Sequence, residues 1–138
     1  MARARQTESR HGVELTNLDQ PLFGEAQATK RDLIDYLEAV SAPMLGELRD
    51  RPLSVVRVRP GQQPFMQKNL PGYAPDFVRW TPVWSESGHR EIHYPLCNDL
   101  PTLLWFGNQR AVEYHPTLMV PHYGEHTDVL GGTVTHLV

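Results

Sequence analysis

Cysteine is almost absent from this chain. Cys97 stands alone, so neither an internal disulfide nor a multi-cysteine zinc site can form, and stability must come from packing. Long apolar runs are missing as well. The longest, Leu103-Leu104-Trp105-Phe106, falls far short of the roughly 20 residues that span a bilayer. Residues 1–12, MARARQTESRHG, hold no apolar segment of the secretory kind. There is no G-x-S-x-G nucleophile elbow, no G-x-x-x-x-G-K-S/T or G-x-G-x-x-G phosphate cradle, and no carboxylate pair suited to two-metal chemistry. These absences point to a soluble, cytoplasmic domain with no membrane partner, and they exclude the common nucleotide-binding and serine-hydrolase motifs.

What is present suits one mixed domain. The 138 residues are 40% apolar and 21% charged, enough for an ordinary core. Twelve prolines argue against a bundle of long helices. The net charge of −3 is unevenly spread: residues 1–80 hold 11 Lys/Arg against 10 Asp/Glu, and residues 81–138 hold 2 against 6. Within residues 51–80, Arg51, Arg57, Arg59, Lys68 and Arg79 face a single acid, Asp76. Such a basic stretch near aromatics binds phosphates or simply solvates a surface.

Along the chain, residues 1–12 read as a mobile arm and residues 13–138 as one domain. Residues 13–23 read as a short extended piece leading to a turn at Gly24-Glu25. Thr29 is placed to cap a helix, with Asp32 three residues on. Leu33, Leu37, Val40, Met44 and Leu48 then recur at helical spacing, with a break at Ser41-Ala42-Pro43. Strands are expected at 53–59, 65–68, 77–84, 91–97 and 111–120, with one beginning at 133–138. Asn98-Asp99 is placed to cap a helix over 100–109. The expected fold is α+β: a mixed or antiparallel sheet with two main helices packed on it. Alternation puts Arg57 and Arg59 on one face of their strand, and Glu113 and His115 on one face of theirs.

Five of the seven histidines follow residue 92. His122 and His126 lie four apart, and His93 or His115 would complete a three-ligand metal site. Gly124 and the lack of a helical pattern leave isolated surface histidines as the competing reading. Cys97, at the end of an apolar strand, reads as structural.

An ordered set of short strings resembles a known family. They are Glu14-Leu-Thr-Asn-Leu-Asp19, Leu22-Phe23, and Thr29-Lys-Arg-Asp-Leu-Ile-Asp-Tyr36. Arg51-Pro-Leu53, Arg57, 65–68, Ala74-Pro75-Asp76-Phe77-Val78, and Tyr94-Pro95 follow. Asp99-Leu100, Thr102-Leu-Leu-Trp105 and Ala111-Val-Glu-Tyr-His-Pro116 complete the set. Across residues 13–138 this looks like the N-terminal part of the polymerase domain of bacterial DNA ligase D. That domain is a member of the archaeo-eukaryotic primase group and works in non-homologous end joining.

The resemblance implies roles residue by residue. Asn17 and Lys30 match positions that hold the 5′-phosphate of a DNA end or gap. A further lysine of that site is here Gln20 and another basic position is Val56, with Arg57 or Arg59 available to compensate. Phe65 and Met66 match a pair that stacks on template bases, Met66 without a π face. Lys68 matches a contact to the DNA backbone, and His115 a contact to the triphosphate of an incoming nucleotide. In the family, the strand matching Thr135-His-Leu-Val138 leads into two aspartates that hold Mn or Mg for nucleotidyl transfer. The sequence ends at Val138, so the expectation is DNA-end binding in break repair without polymerisation, with no cofactor held by this chain alone. Nucleoid association, a Ku-type end-binding protein or a ligase as partner, and a homodimer are further expectations. Two other readings stay open: a small His-based metal-binding protein or metalloenzyme, and a non-catalytic interaction module or relic, which Gln20, Val56 and Met66 favour.

Overall fold

The structure, a computed structural model, describes residues 7–23 and 28–117. Ten elements follow in order: β1 (Thr7–Arg10), β2 (Val13–Thr16), α1 (Lys30–Ala39), α2 (Ser41–Leu48), β3 (Leu53–Arg57), β4 (Phe65–Gln67), β5 (Arg79–Ser85), β6 (Arg90–Leu96), α3 (Leu100–Asn108) and β7 (Ala111–Pro116). The α+β class is as expected. All strand pairs are antiparallel, divided among a β1–β2 hairpin, a three-stranded sheet in the order β4-β3-β7, and a β5–β6 hairpin. The strand expected over residues 133–138, the turn at Gly24-Glu25 and the end of the 111–120 strand lie outside the described residues.

Local chemistry explains the helices. Thr29 and Asp32 form a reciprocal capping box: Asp32 N donates to Thr29 Oγ1 at 3.2 Å, and Thr29 N to Asp32 Oδ2 at 2.8 Å. The helical path breaks at Val40, which ends α1 and starts α2, and Pro43 sits in the first turn of α2, where its missing N–H costs nothing. Asp99 caps α3 by accepting from Thr102 N at 2.9 Å. Asn98 takes no part in that cap; it exchanges two 2.8 Å bonds with Asp50, whose φ of 59° is left-handed.

The core forms where α1 and β2 meet α3 and the inner face of the sheet. Leu103, Leu104, Trp105 and Phe106 of α3 are all buried, alongside Ile34, Leu37, Leu15, Leu53 and Val55. The apolar stripe of α1 centres on Ile34 and Leu37, with Leu33 partly buried beside them. Gly107 lets the two helices close: a Cβ there would sit 2.7 Å from Ile34 Cδ1 and 2.8 Å from Leu37 Cδ1. Phe106 packs edge-on against both Trp105 and Tyr114.

Residues 7–12 depart from the expected mobile arm. They form β1 and its turn, with His11 and Gly12 in left-handed conformations. The cause is charge pairing with elements distant in sequence. Arg10 donates to Glu8 at 2.7 Å, to Asp35 at 2.8 Å and to Glu38 at 3.1 Å, while Arg31 meets Glu8 at 2.8 Å and Asp19 at 3.2 Å. His11 approaches Glu38 at 2.9 Å.

Candidate nucleic-acid interface

The turn after β2 brings the N-terminal site residues to the start of α1. Asn17 adopts φ 55°, a conformation Asn tolerates, and its carbonyl accepts from Gln20 N at 3.1 Å. Gln20 O then accepts from Lys30 N at 3.0 Å, and Leu18 O from Arg31 N at 2.8 Å. These bonds set Asn17 and Gln20 beside Lys30. The Lys30 side chain runs inward, 4% exposed, and its Nζ donates to Thr16 O at 2.7 Å. Burial, followed by the charges of Arg110 and Arg57, lowers its pKa to about 8.

Arg57, at the end of β3, is also buried; its Nε donates to Gln109 O at 2.7 Å and its Nη1 to Gln67 Oε1 at 2.8 Å. Arg59 is exposed. The two guanidinium carbons lie 5.3 Å and 6.0 Å from the centre of the Phe65 ring, within cation–π range. The expected convergence of Arg57 and Arg59 is therefore present, with Phe65 as their shared floor.

Register separates Phe65 from Met66. Phe65 pairs with Arg57 and Met66 with Val56, and neighbouring strand residues project to opposite faces. Phe65 belongs to the Lys30–Arg57 side. Met66, half exposed, shares the outer face with Val56, Glu113 and His115. The two residues thus present two surfaces, not one platform. His115 is exposed and sits 3.0 Å from Glu113, the pairing expected from strand alternation. Lys68 is exposed just beyond β4.

Arg110 escaped the sequence reading. It follows α3 in a left-handed conformation, φ 67°, where Gly or Asn is the usual choice. Its side chain is 8% exposed and gathers four acceptors. Nε donates to Val58 O at 3.0 Å, Nη1 to Gln20 Oε1 at 3.3 Å, and Nη2 to Leu22 O at 3.3 Å and, at closer range, to Pro21 O. Burial and then Arg59 lower its pKa. The sequence signal was a long cation at a helix-stop position. Also missed was the β5–β6 ribbon surface, where exposed Trp80 stacks on His93 with centroids 4.0 Å apart.

The histidine cluster does not assemble among the described residues. His93 meets Glu91 at 3.2 Å besides stacking on Trp80, and among the described residues no group of three His, Cys, Asp or Glu side chains is placed to hold a metal. His122 and His126 lie outside the described residues. A concavity of about 340 Å³ is bordered by Thr7, Glu8, Leu18, Asp19 and Arg31. Arg31 is already paired there with two carboxylates. Cys97 is fully buried, and desolvation followed by Asp99 pushes its thiol up to about 12. No described helix is long and apolar enough to cross a membrane.

A sequence profile of the LigD primase-polymerase domain matches residues 29–130. The chain belongs to this family. Over 105 residues, 75% of the chain, it is 39% identical to the bifunctional non-homologous end joining protein LigD of Bacillus subtilis. It is 29% identical over the same length to the multifunctional non-homologous end joining protein LigD of Mycolicibacterium smegmatis. These matches span 16% and 14% of those two proteins. The fold is similar to that of the polymerase domain from Mycobacterium tuberculosis Ligase D in complex with DNA. The TM-score is 0.72 at 32% identity, covering 80% of this chain and 39% of that one. The LigD primase-polymerase resemblance read from short strings is thus shown by profile, sequence and fold together.

Proposed function

We propose that this chain binds DNA ends or gaps bearing a 5′-phosphate, in the service of non-homologous end joining. The observation that carries the reading is a pair of buried cations with neutral partners. Among the described residues, the Lys30 ammonium donates only to the Thr16 carbonyl, and the Arg57 guanidinium only to the Gln109 carbonyl and the Gln67 amide oxygen. Buried charge without a counter-ion is costly, and a phosphate dianion arriving between them offsets that cost through charge-assisted hydrogen bonds. Asn17 adds an amide and Arg59 an exposed guanidinium at the rim. Kinship with end-joining proteins, and with a polymerase domain whose structure contains DNA, supports nucleic acid as the source of the phosphate.

The remaining positions extend the same reading outward. Phe65 offers a ring to a base, and Met66, on the opposite face, an apolar contact of its own. Lys68 reaches backbone phosphate, and His115 donates to a nucleotide triphosphate on the outer face. A Ku-type end-binding protein or a ligase as partner belongs to the same proposal.

A mobility-shift titration tests the reading with two recessed duplexes that differ only in a 5′-phosphate or 5′-hydroxyl. The phosphorylated duplex should bind at least tenfold tighter, and added salt should weaken both steeply. Lys30→Ala should remove most of the preference. Equal affinity for the two duplexes would sink the phosphate reading.

A further inference from the structure

We propose that Arg110 is a further residue of this phosphate site, supplying a cation beside Gln20 and positioning the turn of residues 17–22 that forms the rim. The inference rests on the reading above and adds a residue from the far end of the described chain. Three observations carry it.

The first is connectivity. Arg110 bridges the backbone of β3's end to the turn. Its Nε holds Val58 O, its Nη2 the carbonyls of Pro21 and Leu22, and its Nη1 the Gln20 side chain. The same residue closes a main-chain bond, Val58 N to Arg110 O at 3.1 Å. One side chain thus joins the turn to the end of β3, where Arg57 lies.

The second is an unfilled donor. A guanidinium carries five N–H bonds, and four are engaged by the acceptors named. The fifth, on Nη1 beside Gln20, has no partner among the described residues. Lys30 likewise uses one of its three ammonium hydrogens, on Thr16 O. Arg110 lies close enough to Lys30 to disfavour its charge, so the spare donors of both belong to one electropositive locus.

The third is backbone cost. An arginine at φ 67° is held in a left-handed conformation that a residue with a Cβ adopts at a cost. A buried guanidinium with only neutral acceptors adds a desolvation cost. A glycine would end α3 without either. Both costs are accounted for if the charge is needed where it lies.

The test separates a structural clamp from a phosphate-binding cation, using the recessed duplex pair described above. Arg110→Gln keeps a donor but removes the charge, and should cut the preference for the 5′-phosphate by about tenfold, the value of a charge-assisted bond. Arg110→Lys keeps the charge but cannot hold all four acceptors at once, and should retain most of that preference. A merely structural role would lose it in Arg110→Lys as in Arg110→Gln. Gln20→Glu, an exposed substitution, leaves Arg110 in place and gives it an ion pair. It should abolish the preference while leaving the melting temperature unchanged or raised, and it carries the test if Arg110→Gln fails to fold. A folded Arg110→Gln protein, or a Gln20→Glu protein, that discriminates as well as wild type overturns the assignment. If Lys30→Ala removes the preference and these variants do not, only the role of Arg110 falls. If wild type shows no preference, the phosphate reading falls and takes this one with it.

Discussion

Replacing Lys30 with Met should stabilise the fold while removing the phosphate preference. The Lys30 ammonium is buried beneath the turn of residues 17–22, with Thr16 O as its acceptor and Arg57 and Arg110 as like-charged neighbours. Its pKa falls from 10.5 to about 8, mainly through desolvation. At about 1.4 kcal/mol per unit, the protonated side chain costs the folded state on the order of 3 kcal/mol at neutral pH. Met preserves the apolar stem and removes the charge; the carbonyl of Thr16, left without its donor, takes back about 1 kcal/mol. The net gain is about 1–2 kcal/mol, a rise of roughly 3–8 °C in melting temperature. The pH dependence has a definite sign. The folded pKa lies below the unfolded one, so between pH 8 and 10.5 the unfolded chain holds more protons and the wild-type stability climbs with pH. Lys30→Met lacks that climb. Urea denaturation of both proteins at pH 7 and pH 10 should show the variant ahead at pH 7 and the gap closed at pH 10. A variant that is less stable at pH 7, by a margin unchanged at pH 10, would refute the desolvation argument.

Thr29→Ala removes one half of the capping box and should cost about 1 kcal/mol in chemical denaturation, with a loss below 0.3 kcal/mol counting against the cap. Gly107→Ala presses a methyl onto Ile34 and Leu37 and should lower stability by about 1–3 kcal/mol; an unchanged melting temperature would show that α1 has room to move. Cys97, buried and with its thiol held up to about 12, should resist an aromatic disulfide reagent in the native protein and react once unfolded. Rapid stoichiometric labelling of the folded chain would contradict that placement.

The elements that sequence made legible are those determined locally. Thr29 with Asp32, Pro43 in a first turn, and Asp99 before an apolar helix all act within four residues of themselves, and each appears where expected. Period-two alternation placed Glu113 beside His115 and Arg57 on the side of Arg59. The same alternation already separates Phe65 from Met66, although the family resemblance suggested one shared platform. What escaped is long-range. Residues 7–12 look polar and loose until Arg10 meets Asp35 and Glu38, about 25 positions away. Arg110 looks like a surface cation after a helix until the chain folds and Pro21, Leu22 and Gln20 arrive some 90 residues upstream. Cations whose partners are backbone carbonyls leave no charge pattern in the sequence, so the place of Arg110 beside Lys30 and Arg57, which the family resemblance had already named, emerges only from the fold.

The central claim is that these buried cations receive a terminal 5′-phosphate. Phosphorus NMR of a short recessed duplex reads that group directly, because the terminal phosphate resonates apart from the internal diesters. Adding the wild-type chain should shift and broaden the terminal signal most, and Lys30→Met should leave it in place. A titration in which only the internal diester signals move, equally for both proteins, would contradict the account.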